Sequence, residues 1–502
     1  MLFNSYLFIF AFLPLVLVLT TMARRFVGLS FALFILIVAS VIFYGWHRPE
    51  ILALLLGSIF GNYLLTGLAV RALPKSTTRR LWTIVAIVAN LALLFTFKYF
   101  NFFIDNVETV TGASWDFEQI VLPIGISFYT FQQIAYCADT YAGKVENRNF
   151  LSYALFVAFF PQLIAGPIVH HSHVIRQFES SRFGNPSLDD LFTGLAIFSV
   201  GLFKKKIIAD TFASYATPIF VLADGGGNVD FVQAWQGALA YTFQIYFDFS
   251  GYSDMALGLA CMFGVRLPMN FFSPYKSTSI IEFWRRWHMT LSQFLRDYLY
   301  IPLGGNRKGP IRRWLNLSIT MLLGGLWHGA SWNFVIWGGL HGLYLGINHA
   351  WNSVFGKPDP NHVRPWPIAA GRTVIFGGLT FLAVVIAWVL FRAVTLQGAG
   401  EILGGMATPW AGAPLAEQFA AVDLQFWGWL IGASLITFLA PNTMEIFSRV
   451  RISIEEVKPT KAAWLLPIVF RPTIGWLIIA AAIAGFAVFY ESPTTEFLYW
   501  QF

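Results

Sequence analysis

Apolar runs long enough to cross a lipid bilayer recur from one end of this 502-residue sequence to the other. One membrane-spanning helix needs about 20 apolar residues. Apolar residues make up 57% of the chain and charged residues only 12%, whereas a soluble domain carries about 25% charged residues. Because so few polar groups could not cover the chain in water, lipid must be its solvent. The runs are Leu7–Thr20, Phe26–Tyr44, Ile51–Val70, Leu81–Phe97, Val121–Cys137, Leu151–Ile168, Leu191–Phe203, Val232–Phe263, Leu315–Leu326, Trp332–Ile347, Val374–Leu390, Phe426–Ala440 and Ile474–Phe489.

These runs predict an all-α polytopic membrane protein with roughly 11 to 13 membrane-embedded segments, some of them re-entrant. We expect one domain over residues 1–502, since the polar interruptions are all short. No basic segment precedes Leu7–Thr20 and no small-residue cleavage site follows it, so we expect it to remain as the first helix. Cys137 and Cys261 lie inside apolar runs, without the spacing of a paired-cysteine metal site.

The net charge of +7 is distributed unevenly between the runs. Arg24–Arg25, Arg71–Arg80 and Lys204–Lys206 form basic connections, whereas the loop Asp105–Glu118 is acidic. The positive-inside rule therefore places the basic connections in the cytoplasm and the acidic loop outside. Because the basic residues are scattered between hydrophobic spans, we expect membrane lipids and no nucleic acid as partners.

The first half of the segment Ile280–His349 places charge inside an apolar stretch. Spacings of three and four predict one amphipathic helix that ends at Pro302 and a Gly304-Gly305 turn. Such a helix lies in the membrane interface or lines a polar cavity. Its arginines either contact lipid phosphates or help to bind an anionic cofactor on the cytoplasmic side. The apolar face comprises Trp284, Trp287, Leu291, Phe294, Tyr298 and Ile301, the polar face Arg285, His288, Ser292 and Arg296, and the basic residues after the turn are Arg307, Lys308, Arg312 and Arg313.

The second half contains His328 between two apolar runs, with no charged residue near it in sequence. An ionisable group within a membrane segment costs free energy, so it indicates a functional site. Histidine titrates near neutrality, which suits it to take a proton from a hydroxyl group. A histidine bonded to a neighbouring helix for structural reasons fits the pattern equally well. Glycines 324, 325 and 329 leave room for a ligand or another backbone, and we interpret His341 and His349 as structural.

Two further polar clusters interrupt the apolar pattern. His170-His171-Ser172-His173 has neither a fixed helical spacing nor a carboxylate companion in the sequence, so we predict no metal site there. Asp248, Ser250, Ser253 and Asp254 form an island in an apolar run. Intramembrane carboxylates face a cavity or a basic partner, and the sequence is compatible with both.

Two histidine motifs occur in a fixed order, about 40 residues apart. Trp287-His288 is followed by Phe294-Leu295-Arg296-Asp297-Tyr298-Leu299-Tyr300, and Leu326-Trp327-His328-Gly329 comes later. This combination resembles the signature of the membrane-bound O-acyltransferase family. It is most similar to the bacterial branch that acetylates exopolysaccharides such as alginate. Supporting segments are Leu122–Phe131, Leu163–Pro167, Tyr246–Met255, Gly304–Gly309 and Phe497–Phe502.

The resemblance implies a helical bundle with opposed cytoplasmic and extracytoplasmic funnels and a catalytic core at about residues 120–350. It assigns His328 as the catalytic histidine and His288 as its partner. It further implies a multi-pass protein of the bacterial inner membrane with no bound cofactor, acetyl-CoA as the acyl donor and a polysaccharide acceptor. A periplasmic SGNH-hydrolase-like acetyltransferase is the implied protein partner. We expect His328 to act as a base, and Arg285, Arg296, Arg307 and Lys308 to bind the donor's phosphates.

The C-terminal pattern Phe497-x-Tyr499-x-x-Phe502 resembles a short motif in a small membrane protein that works with the teichoic-acid D-alanylating member of the family. There the tyrosine is a candidate acyl relay, so Tyr499 is a candidate relay here. An aromatic anchor at the membrane interface is the alternative.

Two other functions remain compatible with the sequence. A polysaccharide or lipid transporter or export channel would explain the spans and the Asp248 and Asp254 island, but not the paired histidine motifs. The absence of a visible internal repeat also weakens it. D-alanyl transfer, or acetylation of peptidoglycan or cellulose, would use the same enzymatic core.

Overall fold

The structure is a computed structural model that describes residues 1–145, 148–356, 366–457, 468–490 and 497–498. Within these ranges the chain is helical, and its only β-type pairing is an isolated bridge between Leu267 and Ser453. The α-helices are α1 Leu13–Phe26, α2 Leu29–Gly45, α3 Leu52–Arg71, α4 Thr77–Leu94, α5 Phe100–Thr111, α6 Ile126–Tyr141, α7 Phe150–Ala158, α8 Phe160–Leu163, α9 His171–Phe178, α10 Leu188–Phe203, α11 Asp210–Asp224, α12 Phe231–Met262, α13 Ile280–Trp284, α14 Met289–Leu295, α15 Gly309–His328, α16 Trp332–Phe355, α17 Trp366–Arg392, α18 Leu396–Ala407, α19 Leu415–Ala420, α20 Leu424–Phe438, α21 Thr443–Ile446 and α22 Ile474–Phe489. π-helical turns occupy Phe8–Phe12, Phe95–Tyr99, Lys204–Ala209 and Arg296–Tyr300, and 3₁₀ turns Pro49–Ile51 and Pro274–Lys276.

Several helices have the length and composition needed to cross a membrane. Four such stretches are Phe8–Phe26, Pro49–Arg71, Thr77–Thr111 and Pro367–Arg392. Shorter apolar helices are Leu29–Gly45, Leu424–Phe438 and Ile474–Phe489. Large apolar side chains on these helices are exposed, as expected where lipid is the solvent. The all-α polytopic architecture predicted from the sequence is therefore confirmed.

The long helix α12 forms the centre of the protein. It begins with a capping box in which Asp230 accepts from the Gln233 backbone, and nearly all of its residues are buried. Its backbone lies against α10 at two pairs of glycines, Gly194 with Gly258 and Gly201 with Gly251. A Cβ atom on Gly201 or Gly258 would lie 2.5 Å from the partner's carbonyl oxygen. Small residues are therefore required at this crossing, as at many helix contacts in membranes.

The prediction that Lys204–Lys206 forms a basic cytoplasmic connection is wrong. These residues lie in a π-helical turn between α10 and α11, and Lys205 and Lys206 are buried. Lys205 Nζ lies 2.7 Å from both Asp210 and Asp248, and Lys204 Nζ lies 2.6 Å from Asp254. The lysines are buried because the fold supplies carboxylates for them, which also makes the Asp248 and Asp254 island a set of ion-pair partners.

The prediction of one continuous amphipathic helix after Ile280 is also wrong. The chain forms the short helices α13 and α14, and His288 between them adopts a left-handed conformation with φ 42°. A non-glycine residue in this region costs free energy and persists only where its surroundings hold it. The turn at Gly304 and Gly305 is confirmed, since both glycines have positive φ.

The predicted acidic loop Asp105–Glu118 begins as a helix. Helix α5 extends to Thr111 and ends at Gly112, which has φ 69°. The chain then runs without helix to Gly125, so α6 begins later than the apolar run Val121–Cys137 suggests.

Residues far apart in sequence pack on Tyr252 of α12. The Phe3 ring stacks on Tyr252 with centroids 4.8 Å apart, and the Phe497 ring does so at 4.5 Å. Phe497 also contacts Phe249, and the Leu498 backbone N–H donates to Asp248 at 3.2 Å. Phe497 and Leu498 thus pack on the same face of α12 as Phe3.

Candidate functional site

The two histidines of the sequence motifs meet in the interior. His288 and His328 are buried, and their ring centroids lie 6.3 Å apart. The His328 ring packs edge-on against Trp337 and Phe391, whereas the His288 ring packs edge-on against Phe249. The fold therefore brings together two titratable rings that belong to different helices, within a largely aromatic environment.

His328 is the last residue of α15, and two residues of another helix hold this helix end. The final carbonyls of a helix have no partner inside it. Lys98 Nζ donates to the carbonyl oxygens of Trp327 and His328, at 2.5 and 3.1 Å, and Tyr99 Oη donates to that of Leu326 at 2.8 Å. A cation is also favourable at the negative end of the helix dipole. The position of His328 is thus fixed through its backbone.

A small cavity lies between Lys98 and His328. Its walls are Lys98, the segment 122–128, Trp327 and His328. Lys98 Nζ also donates to Ser127 Oγ at 3.1 Å, which joins the wall formed by the start of α6 to the end of α15. The cavity is the recess beside the catalytic candidate into which a small reacting group could fit.

His288 is oriented by Asn270. Nδ1 of His288 lies 3.1 Å from Asn270 Oδ1, and the Thr290 backbone N–H and hydroxyl both donate to the same oxygen. Because Oδ1 is an acceptor, neutral His288 carries its proton on Nδ1, and Nε2 holds the lone pair. The Met289 N–H also donates to the Asn270 carbonyl at 3.0 Å. Asn270 therefore fixes both the tautomer of His288 and the left-handed turn that presents it.

The glycines around His328 serve helix packing. A Cβ on Gly325 would clash with the Phe334 carbonyl, and one on Gly329 would clash with the Phe334 ring. Of the two readings of these glycines, close approach of another part of the protein is the one observed.

The four basic candidates lie apart from the histidines. Arg285, Arg296, Arg307 and Lys308 are exposed, whereas His288 and His328 are buried. Arg296 Nε bonds Asp297 Oδ1 at 2.8 Å. The structure thus separates a buried pair of histidines from an exposed basic surface.

Three other candidates have simple outcomes. His341 is buried, accepts a hydrogen bond from Trp284 Nε1 at 3.2 Å and packs against Trp337, as expected for a structural histidine. His349 is partly exposed near the end of α16. Tyr499 lies outside the described residues.

Lys98 and Asn270 are site residues that the sequence motifs do not reveal. Lys98 directly follows the apolar run Leu81–Phe97, where a charge is also typical of the boundary of a span. The helical stretch continues through the π-helical turn and α5 to Thr111, so Lys98 lies inside a stretch long enough to cross a membrane. A charge within such a stretch indicates a functional site, and this signal could have identified Lys98 from the sequence. Asn270 lies in a non-helical segment, 18 residues before His288, and no local pattern links the two.

Comparison with known proteins gives a consistent picture. Residues 77–385 match the model of the membrane-bound O-acyltransferase family. The chain is 40% identical to a probable alginate O-acetylase of Pseudomonas putida, over the full length of both proteins. It is 42% identical to a peptidoglycan O-acetyltransferase of Helicobacter pylori, over 81% of this chain and 80% of that protein. It is 29% identical to a teichoic acid D-alanyltransferase of Streptococcus thermophilus, over 53% of this chain and 68% of that protein.

Proposed function

This chain belongs to the membrane-bound O-acyltransferase family, and we propose that it moves acetyl groups from cytoplasmic acetyl-CoA across the bacterial inner membrane for O-acetylation of an exported polysaccharide. That it is a multi-pass membrane acyltransferase follows from the family. The donor, the direction and an alginate-like acceptor are the proposed parts. The full-length similarity to an alginate O-acetylase supports them.

The observation that carries the proposal is the buried pair of His288 and His328, of which His328 borders a cavity. Acyl transfer from a thioester needs a base for the incoming hydroxyl and polar groups for the developing oxyanion. An aromatic surrounding excludes water, which would otherwise hydrolyse the thioester. A transporter has no need of two buried imidazoles, one held in a fixed tautomer and the other at a fixed helix end.

The proposed reaction proceeds through a tetrahedral intermediate. His328 accepts the proton of the acceptor hydroxyl while the hydroxyl oxygen attacks the thioester carbonyl carbon. The carbon–sulfur bond then breaks, the acyl–oxygen bond remains, and the proton passes from His328 to the departing CoA thiolate. His288, with its proton fixed on Nδ1 by Asn270, accepts a hydrogen bond from the acceptor hydroxyl at Nε2 and so orients it. No bound cofactor is required.

The exposed basic residues suit recognition of the donor outside the buried site. Arg285, Arg296, Arg307 and Lys308 present guanidinium and ammonium groups of the kind that bind phosphates. We propose that they attract the phosphates of CoA while its thioester reaches the histidines.

On the far side of the membrane, a periplasmic SGNH-hydrolase-like acetyltransferase is the proposed partner that completes transfer to the polysaccharide. Tyr499 is the proposed relay. Its support is local: Phe497 and Leu498 are seated on α12, and Phe497 contacts Phe249, whose ring packs on His288.

The donor is tested by incubating purified protein in detergent with radiolabelled acetyl-CoA. We expect label on the protein or on an added hydroxyl acceptor, and none when the donor is a D-alanyl carrier protein. If label appears only when the D-alanyl carrier is the donor, the protein is a D-alanyltransferase and the proposed acetyl donor is wrong. If the acetyl group is transferred to peptidoglycan and not to the polysaccharide, the proposed acceptor is wrong. In the same assay, a Tyr499→Phe variant that acetylates polymer as fast as wild type would show that Tyr499 is not an acyl relay.

Asn270→Ala is expected to slow acetyl transfer by a factor on the order of 10², because His288 loses the acceptor that fixes its tautomer. The substitution should lower kcat more than it raises KM, since Asn270 lies behind the histidine and not in the donor path. Ser253→Ala is the matched control, because Ser253 accepts from the amide nitrogen of Asn270, at 3.4 Å, whereas His288 is bonded to the amide oxygen. Equal rates for the two variants would show that Asn270 does not position His288.

A further inference from the structure

Three side chains with metal-ligating atoms converge where α6 ends and α9 begins. Asp139, His170 and His171 each offer one ligand atom, and these atoms lie within 4.8 Å of one another. His170 Nε2 lies 2.5 Å from Asp139 Oδ2, and His171 Nδ1 lies 3.5 Å from the same oxygen. The carboxylate companion that the sequence lacks near these histidines is thus supplied by the fold, from 31 residues upstream.

The hydrogen bonds in this cluster leave one of its members unexplained. Asp139 is bonded by His170, by Tyr298 Oη at 2.6 Å and by Lys144 Nζ at 3.2 Å. His171 is 5% exposed, and neither of its ring nitrogens makes a hydrogen bond of normal distance and angle within the described part of the chain. Its Nδ1 faces Asp139 Oδ2 at 3.5 Å, so the ring is placed to share a ligand with that carboxylate.

We propose that Asp139, His170 and His171 bind a divalent transition-metal ion, with zinc as the best-fitting class. Two imidazoles and one carboxylate form a donor set that zinc takes in proteins, with a water molecule in the fourth position. Bond lengths of about 2.0–2.2 Å place two ligands of a tetrahedral ion about 3.3–3.5 Å apart. The separation of 3.5 Å between His171 Nδ1 and Asp139 Oδ2 meets this requirement.

The protonation of His170 also suits a metal ligand. His170 Nδ1 lies 2.6 Å from Ser172 Oγ, so the neutral tautomer with its proton on Nδ1 donates to that hydroxyl and keeps the lone pair of Nε2 for a metal ion. A small rotation of the ring opens the short contact between Nε2 and Asp139. His170 is 29% exposed, so the ion and its water can reach the site.

His171 faces the same carboxylate oxygen as His170, so one ion between them can contact all three side chains. Tyr298 would remain bonded to the carboxylate as an outer partner that orients it.

The metal ion would connect three parts of the fold. Asp139 belongs to α6, His171 to α9, and Tyr298 to the π-helical turn that follows α14. The site is separate from His328, because Asp139 lies 12 residues along α6 from Ser127, or about 18 Å at 1.5 Å per residue. We therefore assign it a structural role, independent of the acyl-transfer chemistry.

The test uses full-length protein in detergent, free of any affinity tag, stripped with a chelator and titrated with Co²⁺ as a spectroscopic substitute for Zn²⁺. We expect the visible absorption of tetrahedral Co²⁺, saturating at about one equivalent per chain and removed by Zn²⁺ but not by Mg²⁺. His171→Phe, which keeps a ring of similar size, should lose this saturable binding, and Asp139→Asn should weaken it.

His47→Ala is the matched control, since His47 is exposed in the connection between α2 and α3. The size-exclusion profile establishes that each variant is folded. Wild-type protein that gives no Co²⁺ band, or a band of equal strength in His171→Phe, would overturn the proposal. Displacement by Mg²⁺ would overturn the assignment to a transition metal.

Discussion

His328→Ala is expected to lower the rate of acetyl transfer by a factor on the order of 10³, while the protein remains folded. The imidazole is the group proposed to hold the proton as the hydroxyl attacks, and no other described side chain of α15 can replace it. Its backbone would remain in place, because Lys98 bonds the carbonyls of Trp327 and His328. The measurement is single-turnover transfer from radiolabelled acetyl-CoA in detergent.

His328→Gln separates chemistry from packing, since glutamine fills much of the same space and forms hydrogen bonds but cannot take the proton. We expect it to be about as slow as His328→Ala. His47→Ala, on the exposed connection, should transfer at the wild-type rate. A His328→Gln variant with rates near wild type would rule out His328 as the base and leave His288 as the candidate.

Lys205→Met is expected to lower the free energy of unfolding by about 3–5 kcal/mol, because it removes the cation that two buried carboxylates share. Lys205 Nζ lies 2.7 Å from both Asp210 and Asp248, and all three side chains are buried. Methionine has a similar length, so lost packing contributes little. The measurement is the thermal midpoint of the detergent-solubilised protein, followed by fluorescence size-exclusion chromatography.

Lys75→Met removes the same charge at an exposed position and should leave the midpoint unchanged. Adding Asp248→Asn to Lys205→Met neutralises one of the two carboxylates that faced Lys205 and should recover part of the loss. Identical midpoints for Lys205→Met and Lys75→Met would mean that the buried ion pairs do not stabilise the fold.

The sequence predicts the architecture well because membrane helices leave a strong local signal. Apolar length identifies α3 and α12 within a residue or two of their observed ends. It fails at Lys204–Lys206, where a basic run is typical of a loop but Asp210, Asp248 and Asp254 allow it to be buried. Burial of a charge depends on partners distant in sequence, which local composition does not contain.

The candidate site is predictable only in part for the same reason. The motifs single out His288 and His328, and the structure brings the two rings together. Periodicity cannot predict the left-handed backbone of His288, since it depends on Asn270. Nor can it link Asp139 to His170, because they occupy different elements.

The packing of Phe3 and Phe497 on one tyrosine has a consequence for biogenesis. The ribosome releases residue 497 long after the helices around Tyr252 have entered the membrane, so Tyr252 stays without this cover throughout insertion. Phe249, whose ring packs on His288, also lacks its contact with Phe497 until then. This part of the interior is therefore completed only once residue 497 has been released, and a chain truncated before residue 497 would insert its helices yet leave this surface open to the quality-control proteases of the membrane.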